Sequence, residues 1–332
     1  MNMKNWFAQQ IASPKKKAMP ILSFPSISLL DVSVRELISS SDVQAKGMHA
    51  IAERCDTLAA VSLMDLSLEA EAFGAQIRTD DGEVPTVIGT VIKSPEDAEN
   101  LKVPQVGQGR TGIYIEAIEK AVKLIDDRPV FAGAIGPFSL SGRLMDMTEI
   151  MVNCYIEPEM VKNTLEKASD FLIEYIKAYR QTGASGVVMA EPAAGLLSPD
   201  LIAEFSTPYV KKISDAVRSD DFCFIYHNCG NTVPLLSSIF TIDADGYHFG
   251  NAIDMEKILE QAPKDKPIFG NVDPAGQFRN GTPQSIYDVT TSLLERCCKY
   301  PNFIISSGCD IPPLASWENI DSFFKAVSDF YK

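Results

Sequence analysis

One histidine and two cysteines carry the sharpest chemical signal in this 332-residue chain. His227-x-Cys229 closes the apolar run Phe222–His227. In an extended strand, residues i and i+2 point to the same face, so this imidazole and this thiol would converge. Cys309 closes a later apolar run, Phe303–Ser306, within Ser307-Gly308-Cys309-Asp310, and could reach the same point. One nitrogen and two sulfurs suit Zn²⁺. Three protein ligands would leave a fourth position open, the mark of a catalytic rather than a structural zinc. The absence of any Cys-x-x-Cys points the same way. The competing reading is plain packing, because cysteine is among the residue types most often buried. Residue types alone leave both readings open.

Other apolar runs also end in polar residues. Leu58–Met64 runs into Asp65, and Gly186–Ala190 into Glu191. These two are the carboxylates considered for a catalytic role. Glu191 would either complete a metal shell or cap backbone N–H groups, and Asp65 suits a supporting or substrate contact better than acid/base work. Four further residues are read as substrate contacts. His248 closes a strand and could instead be structural. Asn271 and Asp273 follow the run Pro267–Gly270, and Asn231 follows Cys229; turn chemistry explains the asparagines equally well. The other thiols, Cys55, Cys154, Cys223, Cys297 and Cys298, are expected to pack. Gly136, Gly195, Gly230, Gly250 and Gly308 are read as room for a large flat cofactor.

The elements that must position these residues alternate regularly. Short apolar runs begin with Met19–Phe24 and end with Phe303–Ser306. Between most of them lie helical patterns such as Asp42–Arg54, Glu157–Thr182, Ser198–Val217 and Pro283–Lys299. About eight such strand–helix units predict an α/β fold, a (β/α)8 TIM barrel, whose C-terminal strand ends build the site. The runs are nearly continuous, as parallel strands covered on both faces require. An open doubly wound sheet is the alternative, but no Gly-x-Gly-x-x-Gly follows the first strand. Asp80-Asp81-Gly82 lies between apolar runs and signals a hairpin, an insertion after the second strand. Residues 1–18 read as an amphipathic N-terminal helical arm, and 19–332 as a single barrel domain.

Lys and Arg total 30 against 44 Asp and Glu, a net charge of −14. Such a chain is poorly suited to nucleic acid or to an anionic membrane surface. Seven cysteines, an odd count, do not form a disulfide framework and fit a reducing, cytoplasmic setting. No apolar run approaches the roughly 18 residues of a membrane span. Lys15–Lys17 follow the apolar stretch Trp6–Ile11, the reverse of a signal peptide's order.

At this point the chain resembles a known superfamily over about residues 19–332. Its motifs are Asp65-Leu-Ser-Leu-Glu69-Ala-Glu71-Ala-Phe-Gly74, Ser198-Pro-Asp with Phe205-Ser-Thr-Pro208-Tyr209, His227-Asn-Cys229-Gly230-Asn231, Gly270-Asn271-Val-Asp273-Pro274 and Ser307-Gly308-Cys309-Asp310-Ile-Pro-Pro313. Together they resemble the uroporphyrinogen decarboxylase superfamily. The spacing of His227, Cys229 and Cys309 resembles the zinc triad of its corrinoid:thiol methyltransferase branch. That resemblance implies a zinc enzyme moving a methyl group from a methyl-corrinoid, carried by a partner protein, to a thiol such as coenzyme M. Zinc would activate the thiol as a nucleophile. A monomer or homodimer is expected. The rival is decarboxylation of a tetrapyrrole. That branch holds its anionic substrate with an arginine-rich N-terminal segment, and Met19–Ser28 contains no arginine. A non-catalytic zinc-holding or partner-binding module is the second alternative.

Overall fold

A computed structural model describes residues 1–332. Nine strands are numbered in chain order: β1 (Ala60–Val61), β2 (Gln76–Arg78), β3 (Thr86–Ile88), β4 (Val130–Ile135), β5 (Gly186–Ala190), β6 (Cys223–Asn228), β7 (Gly246–Phe249), β8 (Ile268–Val272) and β9 (Phe303–Ser307). Seven form one curled parallel sheet in the order β1-β4-β5-β6-β7-β8-β9, with helices between successive strands. Period-two side-chain alternation builds two apolar layers from these strands. On β6, Cys223 and Ile225 join an inner cluster, while Phe224 and Tyr226 lie in the layer beneath the helices. On β5, Val188 and Ala190 face in, and Val187 and Met189 face out.

Met19–Phe24, expected as the first strand, is not one. It is nonetheless stitched to both edges of the sheet. Met19 N–H donates to Ile305 O (3.0 Å), and Leu58 N–H donates to Ala18 O (2.8 Å). Ile21 N–H donates to the Ser307 hydroxyl instead of a carbonyl (3.0 Å). Pro20 has no N–H to give, so a regular ladder cannot run through the segment. The helix expected over Ser198–Val217 is likewise two helices, Pro199–Phe205 and Thr207–Val217. Pro208 cannot sit inside a continuous helix but suits the first turn of a new one.

The expected hairpin is the antiparallel pair β2–β3, with Ile77 opposite Val87. The helix Met3–Ala12 occupies the N-terminal arm, capped by the Asn2 side chain, which accepts from Asn5 N–H (2.9 Å). It buries Met3, Trp6 and Phe7 in the inner cluster. Trp6 packs on Phe131 and Phe7 on Phe269, with ring centroids 6.2 and 6.4 Å apart. Without this helix the inner apolar residues of β4 and β8 would lose their cover. No helix is long and apolar enough to cross a membrane.

Phe7→Ala should therefore cost about 3–5 kcal/mol of stability, as large-to-small core substitutions do. Urea unfolding measures this; a loss below about 1 kcal/mol would place the arm outside the core.

Candidate metal centre

The C-terminal ends of β6 and β9 bring together His227, Cys229 and Cys309. One ligand atom from each lies within 4.8 Å of the other two. Cys309 Sγ is 3.5 Å from His227 Nε2. The two thiols titrate together: the neighbouring Cys309 pulls Cys229 well below its usual range, and Cys229 pushes Cys309 well above it. The opposed shifts belong to the pair, whose thiols lose their protons in two steps.

What lies behind His227 decides what its Nε2 can do. β6 and β7 pair in a register that sets His227 beside His248, and β8 and β9 set Ser306 beside Asn271. His227 Nδ1 is 2.8 Å from His248 Nδ1, and His248 Nε2 is 2.8 Å from Ser306 Oγ. The Ser306 hydroxyl donates to Met19 O (2.7 Å). A carbonyl only accepts, so the proton directions follow in order. Ser306 gives its proton to Met19 O and accepts from His248 Nε2–H. His248 Nδ1 then accepts from His227 Nδ1–H. The neutral His227 ring therefore carries its proton on Nδ1 and turns the Nε2 lone pair toward the sulfurs, the tautomer a metal needs. His248 is fully buried, and burial holds its pKa well below the ordinary value, which keeps it neutral in this relay.

The centre opens into a cavity of about 350 Å³, lined among others by His227, Cys229, Cys309, Arg143, Val84 and Pro85. The last two come from the segment just before β3, so the hairpin insertion covers this mouth.

The other expected site residues fall elsewhere. His248 stands behind His227 and off the cavity wall. Glu191 is fully buried and points to the start of the helix Pro137–Met145. It accepts from Phe138 N–H (2.7 Å), Ser139 N–H (3.1 Å) and the Ser206 hydroxyl (3.2 Å). It is a helix cap, and burial raises its pKa to about 7. Asp65 does border the cavity, but its carboxylate is committed to Arg110, to Tyr114 Oη–H (2.8 Å) and to the Ser67 hydroxyl (2.6 Å). Asn271 donates to Gly250 O (2.9 Å) and Ile253 O (3.0 Å), holding a loop. Asp273 caps Ala275 and Gly276 (3.0 and 2.9 Å), and Asn231 is exposed.

The strand-end glycines make room for protein, not for a flat ligand. A Cβ at Gly250 would lie 2.4 Å from Cys229 Cα, and one at Gly136 would meet the Glu191 side chain. Of the thiols expected to pack, Cys298 is exposed and the other four are buried.

Three participants escaped the sequence reading. Ser306 was hidden inside an apolar run. Asp310 binds Met64 N–H (3.0 Å) beside the cavity. Arg143 is the sole charged residue of the helix Pro137–Met145, a signal that was available.

The chain belongs to the uroporphyrinogen decarboxylase (URO-D) family, which it matches over residues 19–330. It is 28% identical over 329 residues to the methylcobamide:CoM methyltransferase MtbA of Methanosarcina acetivorans, covering 95% of both chains. It is 25% identical to a uroporphyrinogen decarboxylase of Hydrogenovibrio crunogenus, covering 83% of this chain and 80% of that one. The fold is that of a methyltransferase from Methanosarcina mazei, with a TM-score of 0.86 at 23% identity over 100% of this chain and 99% of the other.

Beside the site, Glu69 is wholly buried; its Oε1 accepts from Ile135 N–H (3.1 Å), and its Oε2 has no partner. Burial raises its pKa to about 8 from 4.5. Between those values the folded state holds more protons than the unfolded one, so stability falls as pH rises through the window. Glu69→Gln removes the ionisation. Thermal melts should show the variant equal to wild type near pH 4.5 and progressively more stable toward pH 8. A gap that does not change with pH would contradict the assignment.

Proposed function

We propose that this protein is a zinc-dependent methyltransferase that moves a methyl group from a protein-bound methyl-corrinoid to a thiol acceptor such as coenzyme M. The observation that carries this reading is the convergence of His227 Nε2, Cys229 Sγ and Cys309 Sγ, each within 4.8 Å of the others, at the wall of a cavity large enough for a small thiol. The similarity to MtbA along nearly the whole chain supports it.

The donor set fits zinc: an imidazole whose Nδ1 is engaged by His248, so that Nε2 faces the site, and two cysteine sulfurs, with no fourth residue in the group. Bound zinc would supply a Lewis acid that keeps an acceptor thiol deprotonated at neutral pH. The chain's own part is electrostatic and geometric. Two thiolates offset the ion's charge, which leaves sulfur in that site electron-rich. The relay through His248 and Ser306 holds the imidazole in one tautomer and one orientation. The hairpin segment at Val84 and Pro85 narrows the entrance and limits water. On the same reading, Met19–Phe24 is the eighth stave of a (β/α)8 barrel, with 1–18 as its arm and 19–332 as one domain.

Zinc analysis and methyl transfer from methylcobalamin test this together. Wild type should hold roughly one zinc per chain, and Cys229→Ala and Cys309→Ala should lose zinc and transfer together. Full turnover by a metal-free variant, or porphyrinogen decarboxylation in the presence of chelator, would falsify the proposal. His248→Phe leaves all three ligands in place but cannot accept from His227 Nδ1–H. Its zinc affinity should drop about 10–100-fold, read by competition with a chromogenic chelator; wild-type affinity would rule out the relay's role.

A further inference from the structure

A second cavity, of about 660 Å³, lies between the N-terminal arm and the last helix, Trp317–Phe330. Arg54, Cys55 and Asp56 form part of its wall just ahead of β1, so it sits at the N-terminal strand ends, whereas the metal centre sits at the C-terminal ones. Its charge is opposite to that of the molecule. Lys15, Lys16, Lys17, Arg54, Lys325 and Lys332 line it, against the carboxylates of Asp56 and Asp321. Asp56 pairs with Lys17 (2.6 Å) and Asp321 with Arg54. Lys325 and Lys332 share one partner, Asp329. Lys15 donates to Lys332 O (3.3 Å), and Lys16 to Gln10 O (3.1 Å), Ile11 O (3.3 Å) and Pro301 O; neither pairs with an acidic side chain. Six cations thus meet three carboxylates, in a chain of net charge −14.

Lys16 separates this wall from an ordinary solvated lysine cluster. It is half-buried, its amine is held on the last carbonyls of the helix Met3–Ala12, and burial lowers its pKa to about 8. Its three donors are spent, so it contributes charge rather than hydrogen bonds, and a partly buried charge is screened less by salt than an exposed one. Lys15, Lys17 and Arg54 each keep N–H groups free beside it. Two half-buried rings, Phe324 and Tyr331, line the same cavity. The volume is that of a small-molecule site. Cations spread over three successive residues and a facing helix match several anionic groups in a row better than one, and lysine binds phosphate as a point charge. The acidic remainder of the molecule opposes a longer polyanion such as nucleic acid.

We propose that the cavity walled by Lys15, Lys16, Lys17 and Arg54 binds a small ligand carrying an oligophosphate group. The site is separate from the metal centre and does not rest on the methyl-transfer reading.

Calorimetric titration of the full-length protein at about 0.15 M salt tests this. Inorganic tripolyphosphate and ATP are the probes, and sulfate is the single-anion control. Tripolyphosphate should bind one site per chain about 10-fold or more tighter than sulfate. ATP binding tighter than tripolyphosphate assigns a nucleotide whose base meets Phe324 and Tyr331; equal or weaker ATP binding assigns a free oligophosphate. Both probes also bind zinc, so zinc-loaded and chelator-stripped protein are titrated in parallel, and the affinity should be the same in both. Lys15→Gln with Lys17→Gln changes only exposed side chains and should weaken binding about 10-fold or more, the scale of lost charge-assisted hydrogen bonds. Lys177→Gln with Lys211→Gln removes the same charge from helices elsewhere and should leave binding unchanged. Equal weakening by the two pairs, binding only when zinc is present, or no saturable binding below about 1 mM probe overturns the proposal.

Discussion

The site depends on a chain of hydrogen bonds whose direction is set by a backbone carbonyl. Met19 O can only accept, so Ser306 must donate to it, and each proton further along the relay then has one allowed position. The consequence is felt at His227, whose Nδ1 must carry a proton, so that in the neutral ring Nε2 presents the lone pair. Met19 lies in the segment that failed to form a strand. The relay also ties together β6, β7, β9 and the Met19 segment, so the orientation of one imidazole depends on the register of the sheet.

The same economy governs the polar groups around the mouth. Glu191 spends its carboxylate on the exposed N–H groups at a helix start, and so holds that helix, with Arg143 near its end, against β5. Asp65 anchors Arg110 and Tyr114 of the helix Arg110–Leu124. Asn271 ties down the loop after β7. Each is a buried or half-buried polar residue at a strand end, the signature by which catalytic groups are usually sought. Each is saturated by partners within the fold. The thiol pair, His227 Nε2 and the Arg143 guanidinium, by contrast, line a single cavity.

Much of this was legible in the residues. The runs Gly186–Ala190 and Gly246–Phe249 coincide with β5 and β7, because a continuous apolar run bounded by polar residues has few alternatives in a chain with this alternation. The convergence of His227, Cys229 and Cys309 was readable from two-residue spacing and from matching positions at strand ends. The roles of Glu191, Asn271 and His248 were not, because a carboxylate, amide or imidazole at a strand end can face the cavity or a neighbouring backbone group with the same sequence around it. The glycines misled for a related reason: Gly250 and Gly136 mark close approach, but not what approaches.

Composition and periodicity thus settle which segments are strands and helices, and which side chains share a face, since these follow from local backbone geometry and the burial of apolar surface. Partnership is a different matter. Whether His248 touches a substrate or His227, and whether Arg143 finds a carboxylate or none, depends on side chains tens to hundreds of positions apart. Only the packed sheet, with its register and its helices in place, brings those groups to or keeps them from hydrogen-bonding distance.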